Sequence, residues 1–198
     1  MLAFQSVIFL SISVLAGTAG SVTDSSYYNS VANINSVNQS GSGTLAHQFA
    51  LTFPQYVNSL IMFAPPSLLK MRFSFIFRFI LANMLPTPLF ARNFLQYMSS
   101  AGSEFPEQAI QAFIIQLQAY KLNTNKIPII SDHDLAHLPS RTLLLLGEEE
   151  VLYDSEKVAA RIRFVAPFIT IAIISGAKHL IPVDQPDLVN EKIIQFLS

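Results

Sequence analysis

Three segments of the chain end an apolar run with a side chain that could take part in nucleophilic catalysis. Ser40 follows a short apolar strand signal and precedes a helix-forming run that starts at Leu45. Glu150 ends a run of three acids after four leucines and a glycine, and His179 follows the β-branched run 169–174. A serine hydroxyl needs a base to take its proton, and a histidine held by a carboxylate is a common base for that step. These three residues are therefore candidates for a nucleophile, its base and the acid that holds the base.

The turn around Ser40 has to be tight if the serine is to project from the end of a strand into the start of a helix. Such a turn requires small residues two positions before and two positions after the serine. Those positions hold Asn38 and Ser42, where glycine is usual. Asn tolerates positive φ better than most residues and Ser is small, so the turn is sterically feasible. Taken alone, a Ser/Gly cluster is more typical of an ordinary turn than of a nucleophile.

The acids after the leucine run have two interpretations. The run 143–146 predicts a strand buried on both faces, and working groups of open α/β sheets lie at the carboxyl ends of such strands. A solvated acidic turn that opens the next helix is the alternative, since carboxylates favour a helix N-terminus. Glu150 is the preferred acid, Asp154 is the second candidate because it lies in the same loop, and Glu149 is less favoured.

Two long segments carry a resemblance to a known family. Residues 40–66 resemble the nucleophile turn, following helix and next strand of the α/β hydrolases, and residues 141–197 resemble their acid strand, last strand, histidine loop and final helix. From about Ser36 onward, the chain resembles the carboxyl-terminal half to two-thirds of a carboxylesterase-like member. The resemblance implies an α/β fold, with a mostly parallel sheet flanked by helices and a helical cap inserted between strands.

The resemblance also implies a role for each candidate residue. Ser40 falls on the nucleophile, His179 on the base and Glu150 on the acid, with Asp154 as the alternative acid. The backbone N–H of Gly41 would donate to the oxyanion of the tetrahedral intermediate. The implied function is hydrolysis of a small apolar ester through an acyl-enzyme intermediate, without a cofactor.

The segment ahead of Ser40 does not resemble the family, whose members carry early strands and a second oxyanion donor there. These parts are expected to be missing or replaced, which leaves a rival hypothesis: a truncated, non-catalytic or weakly active remnant that acts as a binding module or has no function. Residues 1–21 resemble a secretory signal or an anchor, but lack Lys and Arg before the apolar run. The alternative is a buried strand or helix, and a cytoplasmic location is favoured over a secreted or anchored one.

The elements that must position these residues follow from hydrophobic periodicity. We predict a hydrolase-like domain over 22–198 with a helical cap over about 67–139. Strands are predicted at 34–38, 58–63, 141–146 and 169–174, and helices at 44–53, 67–83, 87–99, 106–120, 155–164 and 187–197. Helices between successive strands imply parallel pairing with right-handed crossovers.

The apolar stretch 68–81 of the predicted cap has three interpretations. It could form the lid of a hydrophobic pocket, pack into the core, or touch a membrane surface through its mixture of aromatic and basic side chains. The lid would suit an apolar ester substrate. All three interpretations predict a helix.

Composition excludes several other classes of function. The net charge of −1 gives no sign of nucleic acid binding, and the absence of cysteine excludes disulfides and thiolate metal sites. The four histidines lack a zinc-binding spacing, and the pair His133 and His137 is interpreted as a polar turn or short helix. No glycine-rich phosphate loop is present. Nothing in the pattern indicates an oligomeric state.

Overall fold

Four parallel strands form the sheet on which the candidate site is built. The computed structural model describes residues 34–39, 41–100, 104–119 and 128–198. The strands are β1 (Ile34–Gln39), β2 (Val57–Phe63), β3 (Thr142–Gly147) and β4 (Thr170–Ile174), and they lie in the order β1-β2-β3-β4. All three neighbouring pairs are parallel, which confirms the predicted parallel sheet. The predicted signal or anchor segment, 1–21, lies outside the described residues.

Helices connect successive strands and fall into two groups. The helices next to the sheet are α1 (Gly41–Thr52), α6 (Ser155–Val165), α7 (Ile181–Asp184) and α8 (Pro186–Leu197), with a 3-10 turn at Pro54–Tyr56. Between β2 and β3 lie α2 (Phe73–Met84), α3 (Pro88–Met98), α4 (Glu107–Ala119) and α5 (Asp132–Ala136). This second group is the predicted helical cap inserted between strands.

Strand β3 is buried on both faces, as its four leucines predict. Leu144 and Leu146 belong to a core cluster shared with the cap helices, whereas Leu143 and Leu145 belong to a smaller cluster on the other face with residues of α7 and α8. Alternate side chains of a strand point to opposite faces, so a continuous apolar run covers both layers. A strand that is apolar on both faces is suited to the interior of the sheet, and β3 lies there, between β2 and β4.

The first and last residues of the cap lie side by side next to helix α6, and we term these two segments, 67–68 and 130–132, the neck. The N–H of Ile130 donates to the carbonyl of Ser67 at 2.8 Å. Arg161 of α6 donates to the carbonyls of Leu68 (2.7 Å) and Ile130 (2.6 Å) and to the carboxylate of Asp132. A guanidinium presents several donors in a fixed fork, so one side chain can bind both chain segments of the neck.

The prediction of a helix from residue 67 was wrong at its start, because α2 begins at Phe73. The backbone of 67–72 is used in tertiary hydrogen bonds instead of helical ones. Ser67 and Leu68 accept at the neck, and the N–H of Arg72 donates to the carbonyl of Leu152. Arg72 has φ −65° and ψ 139°, which is extended backbone and ends any helix before it.

Two short helices were absent from the predicted boundaries. Helix α5 carries His133, and His137 caps its C-terminus, in agreement with the interpretation of this pair as a polar turn or short helix. The four-residue α7 follows the histidine loop. Across the described ranges, no helix combines the length and apolar character needed to cross a bilayer.

Candidate active site

The structure brings His179 and Glu150 together as a buried pair. The Nδ1 atom of His179 lies 3.1 Å from both carboxylate oxygens of Glu150. Each residue is only 2% exposed. Buried polar side chains are retained where they satisfy each other, and a carboxylate on Nδ1 fixes the proton on that nitrogen. The arrangement sets the imidazole so that Nε2 is the nitrogen that can exchange a proton with a hydroxyl.

The carboxyl ends of β3 and β4 approach each other closely enough to place the pair. Glu148 N–H donates to the carbonyl of Ile174 at 3.0 Å, and Glu149 N–H donates to that of Ala177 at 2.9 Å. A Cβ added at Gly147 would lie 2.2 Å from the carbonyl oxygen of Lys178, so only glycine allows this approach. The acid loop and the histidine loop therefore form one hydrogen-bonded unit.

Of the three acids, Glu148 binds the histidine loop from outside. Its carboxylate accepts from the Ser175 hydroxyl at 2.8 Å and from the Gly176 N–H at 3.2 Å. These two donors, the Ser175 hydroxyl first, lower the pKa of Glu148 below its ordinary value. Gly176 has φ +67°, a conformation that glycine adopts without strain. Glu148 thus fixes the turn that precedes His179.

Glu150 is held in place by its neighbours as well as by His179. Its Oε1 accepts from the Leu152 N–H at 2.9 Å, and its carbonyl accepts from Arg72 at 2.9 Å. Burial, together with the charge of Glu150, raises the pKa of Tyr153 well above its ordinary value. The protonated Tyr153 hydroxyl donates to the carbonyl of Pro65 at 3.2 Å, which ties the acid loop to the end of β2.

Asp154, the alternative acid, caps a helix. Its carboxylate accepts from the Lys157 N–H at 3.1 Å at the N-terminus of α6. An N-cap carboxylate satisfies one of the unpaired donors of the first helical turn. Glu150 contacts His179 and Asp154 serves the helix, so the geometry favours Glu150 as the partner of the imidazole.

Ser40 lies outside the described residues, but the elements on either side of it are in place. Strand β1 ends at Gln39 and α1 begins at Gly41, so strand gives way to helix across a single residue. Gln39 is paired in register with Phe63, and Phe63 with Leu145. The carboxyl end of β1 is therefore at the same edge of the sheet as the loops that carry Glu150 and His179. The contact between Ser40 and His179 stays a prediction.

The histidine loop is also attached to the cap, through a residue that the sequence analysis did not single out. The carboxylate of Asp184 accepts from the Lys178 N–H (2.8 Å) and the Ser100 N–H (2.9 Å), and also from the Ser99 hydroxyl. The Leu180 N–H donates to the carbonyl of Met98 at 3.1 Å. No sequence signal marks Asp184, because its cap partners are more than eighty residues away along the chain.

Aromatic side chains of the cap lie next to the imidazole. The ring centroid of Phe75 is 6.4 Å from that of His179 and 5.6 Å from that of Phe94. Phe94 in turn lies 5.8 Å from Phe79 and stacks on Phe113 at 6.0 Å. Tilted and stacked rings at these separations pack as a stable apolar cluster. The side of the site that faces the cap is therefore apolar.

A parallel sheet with helices inserted between strands, and with an acid and a histidine in the loops at its carboxyl edge, is the arrangement of the α/β hydrolases. Two solved structures from Bacillus subtilis are similar in fold: a putative hydrolase (TM-score 0.71) and naproxen esterase, carboxylesterase NP (TM-score 0.69). Each is 25% identical to this chain, and the match covers 82% of this chain and 59% of theirs. The described part of the chain therefore has the α/β-hydrolase fold.

Curated proteins of Bacillus subtilis (strain 168) are similar in sequence as well. The uncharacterized carboxylesterase nap is 30% identical over 112 residues, which is 56% of this chain and 33% of that protein. Carboxylesterase YbfK is 30% identical over 104 residues, which is 52% of this chain and 32% of that protein. The aligned residues thus span about a third of the length of these carboxylesterases. No protein-family model matches it.

Proposed function

We propose that this chain is a serine hydrolase that cleaves carboxylic esters with Ser40 as nucleophile, His179 as base and Glu150 as acid. The observation that carries the proposal is the buried contact of His179 Nδ1 with both oxygens of Glu150, 3.1 Å each. The similarity to carboxylesterases supports the ester as the substrate class. The one-residue junction between β1 and α1 supports Ser40.

The proposed reaction has two halves. In the first, the Ser40 oxygen attacks the ester carbonyl while His179 Nε2 takes the hydroxyl proton, and the tetrahedral intermediate expels the alcohol, which receives that proton. In the second, a water molecule gives a proton to His179 and attacks the acyl-enzyme; the bond to Ser40 then breaks, His179 returns the proton to the Ser40 oxygen, and the carboxylic acid is released. Glu150 holds the proton on Nδ1 throughout and stabilises the imidazolium by its charge.

The negative charge that develops on the carbonyl oxygen needs donors. The N–H of Gly41, at the first position of α1, would donate to it, and the positive end of the helix dipole adds to that stabilisation. A small substrate with an apolar acyl group suits the half-buried ring of Phe75, whose centroid lies 6.4 Å from that of His179. Apolar surface removed from water there would supply binding energy.

A fluorophosphonate probe tests the proposal, because it labels only a serine that a base has activated. We expect the purified chain to be labelled at Ser40, and Ser40→Ala and His179→Ala to abolish labelling. Ser42→Ala and His137→Ala are matched controls that change a nearby serine and an exposed histidine, and they should leave labelling intact. Circular dichroism establishes that each protein is folded. A folded wild-type chain that is not labelled would establish the non-catalytic remnant instead.

A further inference from the structure

Helix α2 carries exposed apolar side chains along its outer face. Four of them form what we term the apolar row: Phe73 (80% exposed), Phe77 (58%), Ile80 (40%) and Met84 (70%). They follow one another at intervals of four, three and four residues, so they share one face of the helix. Leu85 and Leu89, which are also exposed, extend the apolar surface toward α3.

The opposite face of α2 packs against the other cap helices and the core. Phe75 and Phe79 join the aromatic cluster and Ala82 is buried in the main core. The apolar row is therefore additional to the side chains that hold the helix in place. Isolated exposed apolar residues are normal in proteins, but a contiguous row of this kind marks a surface that contacts something other than water.

The stretch of chain that holds the apolar row carries only cations. Residues 65–103 contain Lys70, Arg72, Arg78 and Arg92 and no Asp or Glu. Arg92 is paired with Glu107 of α4 at 3.0 Å and Arg72 donates to the carbonyl of Glu150, which leaves Lys70 and Arg78 as the cations beside the row. The guanidinium of Arg78, on the same helix, lies over the ring of Tyr97 at 4.6 Å, and Lys70 is exposed just before α2. The partner of this face is therefore expected to be negatively charged where it meets the cations and apolar where it meets the row.

We propose that the apolar row docks on the surface of a lipid bilayer that contains anionic lipids, with α2 lying in the plane of the interface. Phenylalanine and methionine side chains would enter the boundary between headgroups and acyl chains, and the cations would lie at the phosphates. A second copy of this chain fits less well, since a symmetric contact through this face would bring cations of the two copies together.

Docking would give the proposed active site access to esters dissolved in the membrane. The same helix that carries the apolar row places Phe75 against His179, so the cap joins the lipid surface to the site. Only this consequence rests on the proposed esterase function. Docking itself is a property of the surface and can be measured on protein that carries Ser40→Ala.

The absence of tryptophan from the chain permits a direct test. Phe77→Trp places the only tryptophan in the apolar row, and Phe164→Trp places it at an isolated phenylalanine of α6 that is 90% exposed. With phosphatidylcholine vesicles that contain about 30% phosphatidylglycerol, we expect the emission of Trp at 77 to shift to the blue and to be quenched by brominated lipid. The emission of Trp at 164 should show neither effect.

Cosedimentation with the same vesicles measures the contribution of the row to binding. We expect Phe73→Ser combined with Phe77→Ser to lower the bound fraction at least about fivefold, and Phe164→Ser to leave it unchanged. Binding should weaken in vesicles of phosphatidylcholine alone and at high salt, because the cations then contribute less.

Three results would overturn the proposal. The first is folded protein that does not bind the vesicles. The second is binding without quenching at position 77, which would mean that another segment makes the contact. The third is a dimer in light scattering that Phe73→Ser and Phe77→Ser convert to a monomer, which would mean that a second copy covers the row. Loss of ester hydrolysis in Ser40→Ala with docking retained would leave the proposal standing, so the two proposals fail separately.

Discussion

Burial distinguishes the two carboxylates that follow β3, and the distinction can be tested at single residues. Glu150 is buried against His179, while Asp154 accepts from a backbone N–H at the start of α6. Glu150→Gln should lower kcat for a p-nitrophenyl ester about 10³–10⁴-fold, because a neutral amide neither fixes the tautomer of His179 nor stabilises its charged form. Steady-state kinetics measures the change.

Asp154→Asn is the matched control for Glu150→Gln, since it converts a carboxylate to an amide in the same loop. Asparagine is as good an N-cap as aspartate, so kcat should stay within about twofold of the wild type. Equal losses in the two variants would mean that the loop as a whole, rather than the carboxylate on His179, sets the activity.

Ionisation of Glu148 makes the free energy of unfolding depend on pH in the acid range. Its pKa is lowered from the ordinary 4.5 by the Ser175 hydroxyl and the Gly176 N–H, which both donate to the ionised form. The ionised carboxylate therefore stabilises the fold above the unfolded-state pKa, and that stability is lost as pH falls through the lower folded-state value. Glu148→Gln should unfold more easily than the wild type at pH 7, with a difference that shrinks below about pH 4.

Urea unfolding at several pH values measures this difference for Glu148→Gln. Glu149→Gln removes the same formal charge from the neighbouring exposed side chain and is the control. If both variants lose the same stability at every pH, net charge rather than the contacts to the histidine loop explains the effect.

At the scale of elements, Asp184 links the cap to the histidine loop. Its carboxylate accepts from donors on both: the Ser99 hydroxyl and Ser100 N–H after α3, and the Lys178 N–H before His179. Asp184→Asn replaces one acceptor oxygen by a donor, which cannot face an N–H. We expect the free energy of unfolding to fall by about 2 kcal/mol, as for hydrogen bonds to a charged group.

The same variant separates positioning from simple destabilisation. Amide hydrogen exchange at Lys178 and Ser100 should accelerate, and kcat should fall about tenfold with a smaller change in KM, because a displaced imidazole impairs proton transfer more than binding. Asp187→Asn, at the exposed start of α8, should change none of these quantities. Unchanged exchange at Lys178 in Asp184→Asn would contradict a linking role.

The sequence predicts β2, β3 and β4 well because each is a short apolar run with clear ends, whereas β1 has only two apolar residues, Ile34 and Val37. Leucines 143–146 lie in the fully buried strand β3, and the β-branched run 169–174 contains the half-buried strand β4, which pairs with β3 in parallel. The start of α2 could not be predicted in the same way. Its apolar periodicity begins at Leu68, but the backbone before Phe73 bonds to Ile130, Arg161 and Leu152, which are distant in sequence.

The candidate site shows the same limit. Glu150 and His179 could be predicted because each follows a recognisable strand, and the structure places them in contact. Asp184 and Arg161 could not, since an aspartate near a helix start and an arginine on an amphipathic helix have ordinary local patterns. Their roles depend on which loops the fold brings to them.

At the scale of the whole molecule, the cap and one face of the sheet share the larger of the two core clusters. The main cluster of buried side chains joins Phe94 and Ile110 of the cap helices to Leu60 and Leu144 of the strands. A core shared in this way makes independent unfolding of the cap costly, because its removal would expose one face of the sheet to water.

Phe94→Ala should therefore destabilise the entire domain rather than the cap alone. Loss of a buried phenylalanine costs about 3–5 kcal/mol, and here the ring contacts Phe75, Phe79, Tyr97 and Phe113. Far-ultraviolet circular dichroism and tyrosine fluorescence should follow one shared transition in guanidinium chloride, shifted to lower concentration. Phe164→Ala, at an exposed ring, should leave the midpoint unchanged. Two separated transitions in Phe94→Ala would show instead that the cap unfolds independently of the sheet. The cap would then be joined to the His179 loop only by the hydrogen bonds of Asp184 and Leu180.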